Sequence, residues 1–209
     1  MVTAVVGAGG KTTLIHTLAA RYRAAGRRVL VTTSTHMYRE PQMLLDPDAA
    51  ALIAALRHNG YAAAGSAAPE GKFGPLPPAV YRAGCAAADE VLVEADGAKG
   101  RLLKLPAAHE PVIPDNAARI ILVCNLKAAG LRLAEAAHRP APLRELLHAQ
   151  DDTVLTPQMV QAAAERYLAL LRARWPEKQL LLRVNHDGTP AQAALARTME
   201  QRHNGTHTV

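Results

Sequence analysis

Val5-Val6-Gly7-Ala8-Gly9-Gly10-Lys11-Thr12-Thr13 is the stretch on which the reading of this chain turns. An apolar run from Val2 to Val6 enters three glycines. Lys11-Thr12-Thr13 then opens a segment, Leu14 to Ala20, with an apolar face at helical spacing. A strand, a glycine turn and a helix start together let backbone N–H groups close around a polyphosphate at the positive end of the helix. In that arrangement Gly7, Ala8, Gly9, Gly10, Lys11, Thr12 and Thr13 hold the phosphates of a nucleoside triphosphate. Lys11 reaches the β/γ oxygens, and the Thr12 hydroxyl holds Mg²⁺. The loop is a variant. The usual spacing puts a glycine six residues before the lysine, where this chain has Val5.

The rest of the chain alternates strand-like and helix-like blocks. Strand patterns fall at 28–33, weakly at 61–65, and at 90–94, 119–124 and 179–185. Helical patterns fall at 49–58, 77–88 and 156–174, in parts of 130–152, and at 189–202. Thr156 is placed to cap its helix, with Pro157 at the first position. Such alternation predicts an α/β fold of the P-loop NTPase type, a mostly parallel sheet with helices on both faces. The 209 residues suffice for a single nucleotide-binding domain over 1–203, with a disordered tail at 204–209.

Composition narrows the function classes. The net charge is +6, but the basic residues are dispersed, without a run of five and without interleaved aromatics, so no nucleic-acid partner is expected. The two cysteines, Cys85 and Cys124, sit far apart in apolar surroundings and predict buried thiols rather than a disulfide framework. No signal peptide is visible and no apolar run approaches the ~20 residues of a membrane span. The expectation is a cytoplasmic protein without membrane contact.

A second acidic element completes the site. Val91-Leu92-Val93-Glu94 ends a strand with a carboxylate where nucleotide-binding sheets complete the Mg²⁺ shell. Glu94 stands three residues before Gly97, like the Asp-x-x-Gly element whose glycine N–H reaches a γ-phosphate. Asp96 adds a carboxylate two residues on, so Thr12, Glu94 and Asp96 are the expected metal residues. Thr32-Thr33-Ser34-Thr35-His36 lies at the carboxyl end of another strand, the rim where open α/β sheets bind ligands. There His36 is a candidate proton carrier. The catalytic candidates are therefore Lys11, Glu94, Asp96 and His36. The polar stretch at 98–118, with Lys99, Arg101 and Lys104, is too long for a mere connector and offers cations to a phosphate or an anionic acceptor.

Gly7-Ala8-Gly9-Gly10-Lys11-Thr12-Thr13, Thr32-Thr33-Ser34-Thr35-His36, Glu94-Ala95-Asp96-Gly97, Lys104-x-Pro106 and His109-Glu110-Pro111-Val112-Ile113-Pro114 together resemble the YqeC family. The resemblance covers roughly 2–188. It implies a P-loop fold and a role as accessory protein in maturing a selenium-dependent molybdenum hydroxylase. The implied partners are that enzyme or its cofactor-insertion machinery. Val184-Asn185-His186-Asp187-Gly188 resembles the Asn-Lys-x-Asp guanine element, with His186 in place of lysine and Asp187 one residue early. Asn185 and Asp187 are thus base-side candidates, and the nucleotide is ATP or GTP. Three activities suit these residues: a slow Mg²⁺-dependent NTPase first, then a small-molecule kinase, then a non-catalytic module gated by nucleotide.

Overall fold

The computed structural model describes residues 1–205. β1 (Val2–Gly7) is buried along its whole length, as a run apolar but for Thr3 allows in an inner parallel strand. α1 (Lys11–Ala24) follows and buries Leu14, Ile15, Leu18 and Ala19. Next come β2 (Val29–Thr33), the short β3 (Met37–Tyr38) and β4 (Leu44–Leu45), and α2 (Ala49–Asn59). The Asp48 carboxylate caps α2, and left-handed Gly60 closes it. β5 (Tyr61–Ala68), β6 (Lys72–Gly74), α3 (Pro78–Ala87), β7 (Glu90–Glu94) and β8 (Leu103–Lys104) lead to β9 (Arg119–Asn125). The remainder is α4 (Leu133–Ala136), β10 (Ala137–His138), α5 (Ala141–Leu147), α6 (Pro157–Arg174), β11 (Gln179–Asn185) and α7 (Pro190–Asn204). The fold is α/β, with a mostly parallel sheet and helices, as the alternation predicts.

The chain divides into two compact units. One holds Met1–Val5, Thr12–Gly97 and Val112–Ala118. In it β1, β7, β2 and β5 run parallel, in that order. Val5, Glu94 and Thr33 form one row across three strands, and Val2, Val91 and Leu30 another. Leu30 and Thr33 are an odd number of residues apart and face opposite sides of the sheet. On the Glu94 side stands Thr12 of α1. On the Leu30 side lies α3, where a Cβ on Gly84 would come within 2.8 Å of Leu30 Cδ2. Helices therefore cover both faces.

Two local expectations change here. The strand at 61–65 runs on to Ala68, and the stretch between it and the helical pattern at 77–88 contains β6, antiparallel to β5 and to β3. Burial of the Phe73 ring drives this. The ring lies against Gly65, where a Cβ would be 2.3 Å from Phe73 Cδ2.

The other unit holds Val6–Lys11, Ala98–Pro111 and the chain from Arg119 on. β9 and β11 pair in parallel from Arg119↔Gln179 to Asn125↔Asn185. β8 pairs with β10, so the long polar stretch is partly strand. The Thr156 hydroxyl accepts the Met159 N–H at 3.2 Å and starts α6 where the sequence places it. Along β11, the Asn204 side chain accepts from the Leu182 N–H (2.7 Å) and donates to the Leu182 carbonyl (2.9 Å). Glu200 accepts from the Val184 N–H (2.7 Å). Side chains of α7 thus stand in for a neighbouring strand. Asn204, expected to open a disordered tail, is buried at the end of α7 because its amide completes this ladder. The tail from 206 lies outside the described residues. Among the described residues no helix is long and apolar enough to cross a membrane.

Candidate functional site

The glycine loop is held from beneath by two strand ends. Gly7 has φ +93°, and a Cβ there would lie 2.2 Å from the Val123 carbonyl oxygen. Gly10 has φ +127°, and a Cβ there would lie 2.2 Å from Asn185 Nδ2. Both positions need glycine twice over, for backbone angle and for space. Asn125 and Asn185, paired at the ends of β9 and β11, each donate a side-chain N–H to the Gly9 carbonyl, at 2.7 and 3.0 Å. The Ala8 N–H donates to Val123 O at 3.1 Å. Ala8, expected to offer its amide to phosphate, instead spends it fixing the loop against β9. Lys11 is buried, and its Nζ donates to the Gly7 carbonyl at 2.9 Å, folded over the loop it closes. Thr13 is exposed, and its carbonyl accepts from Thr17.

The acidic element lies at the end of β7. Thr12 Oγ1 donates to Glu94 Oε2 at 3.0 Å, which brings the first residue after the lysine to the carboxylate the sequence singles out. The backbone around Glu94 is tied down. The Thr33 hydroxyl and the Ser34 N–H both donate to the Glu94 carbonyl, at 2.8 and 3.1 Å, and the Thr35 N–H donates to Thr33 Oγ1. Asp96 is wholly buried, and Gly97 stands where a Cβ would meet nothing within 4 Å. The Ser34 hydroxyl donates to the Val112 carbonyl at 2.6 Å, and the Val112 N–H donates to Ala95 O. These hydroxyls brace the strand ends. His36 is exposed and flanks Gly74, its Nε2 3.5 Å from where a Cβ on Gly74 would sit.

Asp187 is exposed and serves its own turn. Its Oδ1 accepts the Thr189 N–H at 2.9 Å, a bond that lowers its pKa, and its N–H donates to Gln192. Asn185 faces the glycine loop instead, so the structure separates the two base-side candidates.

The polar stretch is spent internally. Lys104, with a fully buried side chain, pairs with Glu110 at 2.9 Å, and Arg139 pairs with the same carboxylate at 2.7 Å. The Ala107 N–H also donates to it. Burial alone would raise the Glu110 pKa, but bonds from Arg139 and Lys104 outweigh it and hold the group at about 2. Arg101 donates to the Glu135 carbonyl. Lys104 and Arg101, expected to await an anionic acceptor, are structural cations, because a buried carboxylate and an orphan carbonyl claim them first. Cys124 is buried, which pushes its thiol up to about 12.

Sequence reasoning missed Asn125 and the Glu110–Arg139 pair. The available signal was slight: a polar residue ending the apolar run Ile120–Cys124, in register with the one that ends β11.

A family model described as YqeC protein matches residues 3–141. A relative from Escherichia coli (strain K12), "Uncharacterized protein YqeC", is 35% identical over 169 residues, covering 74% of this chain. The chain spans 63% of that relative's length. Among solved structures, HypB from Helicobacter pylori in complex with nickel aligns with 100% of this chain and 91% of its own, at 14% identity and a TM-score of 0.35. That likeness is too low to inform fold or chemistry.

Proposed function

This chain belongs to the YqeC family, and we propose that it is a Mg²⁺-dependent nucleotide-binding protein, a slow NTPase. We further propose that it acts as accessory factor in maturing a selenium-dependent molybdenum hydroxylase. One observation carries the nucleotide reading. Lys11 folds over the Gly7 carbonyl while the next residue, Thr12, donates to the buried Glu94 carboxylate. Lys11 thus lies against the loop it closes, and the glycine loop keeps its shape through Asn125 and Asn185.

The donor set suits Mg²⁺, which takes hard oxygens from a hydroxyl and one or two carboxylates and leaves other positions to water and phosphate. Thr12 and Glu94 would hold it, with Asp96 nearby in the chain. Bound there, Mg²⁺ would neutralise phosphate charge as it develops. Lys11 supports the β/γ oxygens, and Asp96 orients the attacking water. His36 is the weakest of the four catalytic candidates, since it flanks Gly74. A kinase reading loses two of its acceptor cations to internal partners. The base is adenine or guanine.

Calorimetric titration with ATP and GTP, with and without Mg²⁺, tests the proposal. Mg²⁺-dependent binding is expected, and Lys11→Ala is expected to abolish it with the circular dichroism spectrum unchanged. Affinity retained in that variant overturns the site. Slow phosphate release by the wild type separates an NTPase from a binding module, and co-purification of a molybdenum hydroxylase that depends on nucleotide state tests the client.

A further inference from the structure

Between the end of α6 and the stretch Pro106–Pro111 lies a groove of about 350 Å³, wholly within the second unit and separate from the glycine loop. Pro106 and Pro111 line it from the one stretch, and Leu170, Leu171 and Trp175 from the end of α6. Trp175 is the only tryptophan of the chain and is half-buried. This volume is at the small end for ligand sites and suits one small molecule rather than a helix.

The groove also carries an unbalanced charge. Glu110, the one carboxylate beside it, is taken by Lys104, Arg139 and the Ala107 N–H. Arg174 has only neutral partners. Its Nη1 donates to the carbonyls of Ala108 and Glu110 at 3.4 and 3.3 Å, both long, and its guanidinium stacks 4.6 Å from the centroid of the Trp175 ring. Among the described residues Arg174 forms no ion pair. Arg174 is exposed at the rim of this apolar slot, and a guanidinium stacked on an indole and bonded only to carbonyls offers its remaining N–H donors to an anion whose body is flat and apolar.

We propose that this groove binds a small planar aromatic acid. Its ring lies among Pro106, Pro111, Leu170 and Trp175, and its acid group pairs with Arg174. The site goes beyond the nucleotide reading and does not depend on it.

The probe is 1-anilinonaphthalene-8-sulfonate, an aromatic ring system with a fixed negative charge, followed by its own emission and by quenching of Trp175. We expect saturable one-to-one binding that quenches the single tryptophan and weakens roughly tenfold in Arg174→Gln. In Lys11→Ala the affinity should be unchanged, which separates failure here from failure of the nucleotide site. Arg174→Lys keeps the charge and should recover part of the loss, whereas a merely destabilised fold would not. Affinity indifferent to Arg174→Gln overturns the proposal, as does dye emission without tryptophan quenching. Self-association of the chain that competes with the dye also overturns it and assigns the groove to a second copy.

Discussion

Gly10 sits at φ +127° with Asn185 Nδ2 2.2 Å from where a Cβ would stand. Gly10→Ala should therefore cost about 1–3 kcal/mol in urea unfolding, because the backbone angle disfavours a side chain and the contact is relieved only if Asn185 gives up its bond to the Gly9 carbonyl. Gly97 is the control, since a Cβ there meets nothing within 4 Å. Gly97→Ala should change stability by no more than about 0.5 kcal/mol. Asn125 and Asn185 share one acceptor, the Gly9 carbonyl, so their substitutions should not add. Each single change to alanine is expected to cost about 1 kcal/mol, and the double variant more than the sum, because only then is the carbonyl left without either side chain. A double-mutant cycle by denaturant unfolding measures the difference. Additive costs would mean that the two amides hold separate features.

At the scale of elements, helices announced themselves best. Thr156-Pro157 marks the start of α6, and the hydroxyl bond to the Met159 N–H bears this out. Strand edges were harder. Nothing local in Leu180-Leu181-Leu182 tells which side of the strand lacks a partner. Still less does it show that Asn204, far along the chain, supplies both a donor and an acceptor to Leu182. Asn204→Ala leaves that buried backbone pair unmet, and a loss of about 2 kcal/mol is expected. Light scattering on warming should rise earlier than in the wild type, since an unpaired edge invites pairing between molecules. Unchanged scattering and unfolding midpoint would show that water serves the edge equally well. The short β6 escaped notice for a related reason: its one committing feature is the Phe73 ring against Gly65, a contact between strands.

For the molecule as a whole, pH should report on the buried Glu110 network. With a folded pKa of about 2 against an ordinary 4.5, Glu110 binds fewer protons in the folded state than in the unfolded one. Its contribution is complete above the unfolded value and is lost as pH falls from 4.5 through about 2. Glu110→Gln, which leaves buried Lys104 without its carboxylate, should cost about 3 kcal/mol near neutral pH and flatten that acid limb in urea unfolding. A limb as steep as the wild type's would place the acid sensitivity elsewhere. The sequence by itself determined the fold class, because apolar runs alternating with amphipathic stretches have few other ways to bury their surface. It also singled out Thr12 and Glu94 as candidates, and the two meet in the structure. Only the tertiary structure decided what became of the remaining polar groups. Whether Lys104 meets a ligand or Glu110, and whether Asn125 faces solvent or the Gly9 carbonyl, depends on which partner the packing brings within 3 Å. No local pattern encodes that distance, because each buried donor takes the nearest acceptor that the packed chain offers.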